Sequence, residues 1–292
     1  MTLRIAFNYG LAAIAASLLA SPADATLTVS AGIETTTGKY GKPTSTDETR
    51  IPLRATWASG PWKLRADVPL SQRVEGIATA LDREEEEEEE GPARPGAPTT
   101  VVTSRSQSGP GDITLSTWYT VREASAAARA ARAGSPFDLM HGVGIEVGAR
   151  LKTPLASKDR CLLTNGATDL SLEATITRPV GAIEPFATLG WTKRGDPQRR
   201  DANCRPTGGT VDLRNPLYLG VGFAVPVAPR LAFEAEYEYR QKLRPTSDPK
   251  SEVKAGLSYR VSKALSAEGY AITGFSEASP DWGLGARVAY RF

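Results

Sequence analysis

The sequence predicts an all-β fold: a closed antiparallel transmembrane β-barrel of the outer-membrane type, with about twelve strands. Three observations predict it. Segments of about ten residues alternate apolar and polar side chains, and about ten extended residues cross a bilayer at a tilt. The apolar face recurs from segment to segment, while the opposite face collects Arg, Lys, Asp and Glu. The connections alternate short and long, as they do in a barrel with both chain ends on the periplasmic side. A half-buried soluble sandwich explains neither the alternating loops nor the repeated charged face.

Taken in order, residues 1–25 look like a secretory signal peptide. Arg4 gives a weakly positive start, residues 11–20 (LAAIAASLLA) form a short apolar core, and Ala23-Asp24-Ala25 is a small-x-small cleavage site. Residues 26–292 are then the barrel domain. The first predicted strand, 27–35, sets Leu27, Val29, Ala31 and Ile33 against Thr28, Ser30, Gly32 and Glu34. The second, 50–58, turns Ile51, Leu53, Ala55 and Trp57 outward and Arg50 and Arg54 inward; Ser59-Gly60-Pro61 then makes a tight turn. The third, 62–71, alternates Trp62, Leu64, Ala66, Val68 and Leu70 with Lys63, Arg65 and Asp67. Residues 72–110 are read as an acidic, disordered extracellular loop, because the unbroken run from Glu84 to Glu90 repels itself and buries no apolar surface.

The fourth strand, 113–121, and the fifth, 139–152, flank an Ala/Arg-rich stretch at 122–136 with the composition of a short helix, where a brief periplasmic turn is expected. Glu146 and Arg150 point inward from the fifth, Glu173 from the sixth at 170–178. Strands follow at 183–192, 217–225, 231–240, 252–261 and 265–273. The last segment, 282–292, reads WGLGARVAYRF. It carries Trp282, Leu284, Ala286, Val288, Tyr290 and Phe292 on one side and Gly283, Gly285, Arg287, Ala289 and Arg291 on the other. Pro52, Pro69 and Pro185 each remove a ladder hydrogen bond and are placed near predicted strand ends, where that loss is tolerable.

Composition agrees. Thirty-five Lys and Arg against 33 Asp and Glu leave a net charge of +2, which argues against a nucleic-acid partner. The mean hydropathy is −0.28, and beyond the leader no apolar run is long enough for a transmembrane helix.

The inward charges are the candidate functional residues. Glu234, Glu236 and Glu238 form a column continued by Arg240, with Lys254 and Arg260 beside it and Arg287 and Arg291 on the last strand. Arg50, Arg54, Lys63 and Arg65, with Asp67, make a second set. Opposed charges across a narrow lumen orient polar solutes and select ions; the alternative is that they pair and fill the lumen. Trp57, Trp62, Trp191, Tyr237, Tyr239, Tyr259, Trp282, Tyr290 and Phe292 form the aromatic belts. Cys161 and Cys204 fall in consecutive long loops on one outer face, and a disulfide between them is expected, against the alternative of two free thiols. No metal site, cofactor or catalytic residue is predicted: the single histidine, His141, has no Gly-x-Ser-x-Gly elbow to serve, and the cysteines have no histidine at ligand spacing.

Several stretches resemble a known family, the outer-membrane transporters grouped under the meta-pathway of phenol degradation. They are Gly111-Asp112-Ile113-Thr114, Pro185-Phe186-Ala187-Thr188-Leu189-Gly190, Arg194-Gly195-Asp196-Pro197, Glu238-Tyr239-Arg240, Ser247-Asp248-Pro249, Gly274-Phe275-Ser276 and the closing stretch from Ser279-Pro280-Asp281-Trp282-Gly283 to Phe292. The resemblance implies passage of small solutes, aromatic ones among them. The sequence reading is therefore a passive, non-enzymatic outer-membrane channel whose partners are lipid, a small solute and, through the strand ending at Phe292, the barrel-assembly machinery. The alternative is a filled barrel that binds partners and transports nothing.

Overall fold

A computed structural model of the chain describes residues 25–40, 45–77, 104–124, 142–155, 161–200 and 204–292. Among these residues the regular structure is all strand. In chain order the strands are β1 (Thr26–Gly38), β2 (Thr46–Ser59), β3 (Trp62–Ile77), β4 (Ser104–Gly109) and β5 (Ile113–Arg122). Then come β6 (Gly144–Thr153), β7 (Asp169–Thr177), β8 (Glu184–Lys193), β9 (Gln198–Arg200) and β10 (Pro206–Thr210). The last five are β11 (Leu217–Ala228), β12 (Leu231–Arg240), β13 (Lys250–Arg260), β14 (Leu265–Gly274) and β15 (Trp282–Arg291).

Twelve of these strands close a ring in the order β2-β1-β15-β14-β13-β12-β11-β8-β7-β6-β5-β3, and β3 returns to β2. First and last strands lie side by side, with Thr28 opposite Arg291 and Thr37 opposite Trp282. Closure leaves no edge, so the backbone groups of the ring, prolines and bulges apart, find ladder partners without water. One end of the ring is bounded by the tight connections after β2, β7, β11 and β13 together with the longer β5–β6 connection; the other carries the remaining long ones.

The molecule is inside out relative to a water-soluble domain. Leu189, Leu284 and Val288 expose 59%, 54% and 53% of their surface, and the described residues bury only one small apolar cluster, Val74 with Leu163. That cluster sits among the long loops. An outer face this apolar is stable only against lipid. Aromatics bound it at both ends. Trp62 meets Tyr119 edge-on at 4.8 Å, and Tyr290 meets Phe292 at 4.8 Å, near the tight turns. Trp191, Tyr237, Tyr239 and Trp282 lie toward the long loops, and Tyr237 Oη is 3.0 Å from Ser251 Oγ. Leu172, at mid-strand and 49% exposed, tests which medium covers this face. Leu172→Arg is expected to lower stability in a bilayer by about 2–4 kcal/mol, read from urea unfolding in lipid vesicles.

Several sequence expectations change at strand ends. The loop expected from residue 72 begins later, because β3 continues to Ile77 and pairs with β4 as a hairpin standing beyond the ring. Gly111 donates its N–H to the Pro69 carbonyl at 3.1 Å, where β3 exchanges β5 for β4 as its partner. Pro52 and Pro69 do not lie near strand ends. They face each other inside β2 and β3, beside a bulge between Ile51 and Pro52. Neither can donate to the ladder, so the two losses are concentrated where the register already shifts. The fifth strand starts at Gly144 rather than 139, and the short β9–β10 hairpin had no sequence signal. The leader, the glutamate run, His141 and most of the Ala/Arg stretch lie outside the described residues.

Candidate functional site

The polar face of the ring is organised around two glutamates. Glu173 of β7 is flanked by Gly148 of β6 and Gly190 of β8, and one strand further on lie Trp118 of β5 and Tyr218 of β11. The two aromatic rings lie over the two glycines. A Cβ at Gly148 would stand 2.4 Å from Trp118 Cδ1, and one at Gly190 would stand 2.1 Å from Tyr218 Cζ. Each ring thereby reaches past a strand: Trp118 Nε1 donates to Glu173 Oε1 at 2.5 Å, and the Tyr218 hydroxyl donates to Glu173 Oε2. Arg150 completes the group at 2.9 Å.

The second centre repeats the device. Tyr270 of β14 lies over Gly285 of β15, and its hydroxyl donates to Glu34 of β1. Arg50 of β2, directly opposite Glu34, pairs with it at 2.5 Å. The Lys254 ammonium rests on the Tyr270 ring, 3.8 Å from its centroid. These side chains lie on the face of the sheet opposite its exposed apolar residues. Further interior pairs are Arg54–Asp67 at 2.5 Å, Arg65–Asp67 at 2.9 Å, Lys63–Glu146 at 2.9 Å and Arg287–Glu268 at 2.6 Å.

Two chambers adjoin inside the ring. One, about 360 Å³, is lined by Glu34, Arg50, Arg54, Arg65, Asp67, Asp112, Arg150, Lys254 and Arg287 among others, and lies toward the long loops. The other, about 260 Å³, includes Glu234, Glu236, Ser258 and Glu268 and lies toward the tight turns. Arg54, Lys254, Tyr270 and Arg287 line both and form the neck between them. A larger apolar groove of about 640 Å³ lies on the outer face by Phe233, Leu257 and Leu284, where lipid would cover it.

The residues singled out in the sequence divide into three groups. Arg50, Arg54, Lys63, Arg65, Asp67, Glu146, Arg150, Glu173, Glu238, Arg240 and Arg287 stand in the ion pairs; Glu238 is held by Arg240 at 3.2 Å and Lys250 at 3.5 Å. Glu234, Glu236 and Lys254 form no ion pair among the described residues. Arg260 and Arg291 are exposed at the tight-turn rim. Trp118, Tyr218 and Tyr270 were missed. Their positions put them on the polar face, but one strand read alone does not show the glycine opposite. Lys152 was read on the polar face of its strand, but its partners Asp112 and Asp169 were missed: it bridges Asp169 at 3.0 Å and Asp112 at 3.4 Å near the mouth.

The family-like motifs turn out to anchor loops. Arg194 pairs with Asp169 at 3.1 Å, Gly195 N–H donates to Asp169 Oδ1 at 3.1 Å, and Pro197 is fully buried. Burial, opposed by the Asp169 carboxylate, holds the Arg194 guanidinium below its ordinary value. Ser279, also fully buried, accepts from Ser251 N–H and donates to Ser251 C=O, both at 2.8 Å, latching the last loop to β13. Cys161 and Cys204 form a disulfide, Cα to Cα 5.4 Å. Gln107 of β4 docks on it, donating to Cys204 Sγ at 3.3 Å and accepting from Leu162 N–H at 3.0 Å. Three long connections are thus joined over one side of the mouth.

No protein-family model and no curated protein matches the chain. Solved structures do. The KdgM porin is 10% identical, with 91% of this chain and 99% of that one covered and a TM-score of 0.47. The Pseudomonas putida toluene transporter TodX is 10% identical over 94% and 93%, with a TM-score of 0.43. The translocator domain of the autotransporter NalP from Neisseria meningitidis is 9% identical over 99% and 96%, with a TM-score of 0.43. At these identities the likeness is one of barrel architecture and nothing finer.

Proposed function

We propose that the chain is a passive outer-membrane channel for small solutes, exported by the leader at 1–25 and acting without covalent chemistry. The observation that carries this reading is the pair of adjoining polar chambers inside a ring whose outer face is apolar. Solutes would pass the neck of Arg54, Lys254, Tyr270 and Arg287. Aromatic solutes, and membership of the phenol meta-pathway transporters, belong to the same proposal on the strength of the sequence motifs. So does recognition of the terminal strand, ending at Phe292, by the assembly machinery. Purified protein in planar bilayers is expected to give discrete single-channel steps; silence at all voltages would end the channel reading.

A filled, partner-binding barrel is the second reading. It is favoured by the number of interior charges already paired and by the disulfide-braced loops. The same recording decides between the two.

A further inference from the structure

We infer that the chamber toward the long loops is a binding site for a small organic anion, such as a monocarboxylate, seated between the Arg54–Arg65 pair and Lys254. The inference rests on the channel reading for the solute's route, not for its charge.

Pairing the charges around this chamber leaves a positive remainder. Arg50 is matched by Glu34, Arg150 by Glu173 and Arg287 by Glu268. Asp112 belongs to Lys152, in a group that also contains Asp169 and Arg194. Arg54 and Arg65 share the single carboxylate of Asp67, at 2.5 and 2.9 Å. Lys254 has no carboxylate within ion-pair distance among the described residues and rests on the Tyr270 ring instead. One cationic charge is therefore unmatched at the wall, and Lys254, opposite Glu236 in the register but not within ion-pair distance of it, is a second at the neck. A partly enclosed charge without a partner is unfavourable, and an anionic ligand relieves it.

Hydrogen-bonding capacity points the same way. Arg150 Nε is buried and makes no hydrogen bond, although Asp112 Oδ1, at the same chamber, makes none either. Guanidinium N–H groups bind carboxylates with matching geometry. A chamber of about 360 Å³ is at the small end of the range for ligand sites. Below the neck the sign reverses: Glu234 and Glu236 line the second chamber without ion pairs. An anion is thus held on the long-loop side and repelled on the tight-turn side, which confines it to the first chamber.

The test uses the full chain folded in detergent micelles and three probes of similar size: benzoate, benzyl alcohol and benzylamine. Calorimetric titration is expected to show saturable binding of benzoate alone. Lys254→Met is expected to weaken it at least tenfold, and Glu236→Gln to leave it unchanged or tighten it. Equal binding of benzylamine, no benzoate binding, or an unchanged affinity in Lys254→Met overturns the inference. Should Lys254→Met not fold, the comparison of the three probes on the unaltered protein decides alone. Benzoate binding without conductance removes the channel reading and leaves the site; conductance without benzoate binding does the reverse.

Discussion

Glu173→Leu is expected to lower the stability of the barrel by about 3–5 kcal/mol, the usual result of removing one partner from a buried charge cluster. The carboxylate is the shared acceptor for Trp118 Nε1, the Tyr218 hydroxyl and Arg150, and its side chain is only 7% exposed. Leucine fills similar space but leaves those three donors without the carboxylate they share. Glu173→Gln keeps an acceptor oxygen and loses the charge, so its penalty is expected to be smaller. Urea unfolding in detergent micelles, followed by tryptophan fluorescence, measures both. A Glu173→Leu protein as stable as the unaltered one would show that the row from β5 to β11 does not hold these strands together.

Gly190→Val should be nearly as damaging, for a steric reason. The site of its Cβ is already occupied by the Tyr218 ring, 2.1 Å away at Cζ. The ring must leave, and with it the hydroxyl that meets Glu173. Overpacking alone costs about 1–3 kcal/mol, before the lost hydrogen bond is added. Gly269→Ala is the control, because its nearest neighbouring atom is 4.0 Å from the added carbon. Combining Gly190→Val with Tyr218→Ala is expected to recover part of the loss, since the clash disappears, and a double-mutant cycle reads that coupling. Simple additivity would contradict the contact.

How much of this was legible in the sequence depends on the range of the interaction. Strand β12 was read to the residue, because Leu231–Arg240 alternates without interruption between two turns. Which side chains share a face was legible for the same reason: parity is a property of one strand. The ends of β3 and β6 were not, because where a strand stops depends on whether a neighbour is there to pair with it. The pairing of Cys161 with Cys204 followed from both falling in long loops on one side. Gln107 bracing that bond did not, since β4 exists only as the return strand of β3.

The sequence by itself determined that this chain is a barrel of about twelve strands, because a two-residue repeat is local and survives reading one strand at a time. Only the tertiary structure decided which charges meet. The order Trp118, Gly148, Glu173, Gly190, Tyr218 spans five strands, and it exists because each strand has one particular register against the next. Register is set jointly by turn lengths, bulges such as the one beside Pro52, and the requirement that the ring close. A single strand contains none of that information, so the unmatched cations of the inner chamber became visible only once all twelve were in place.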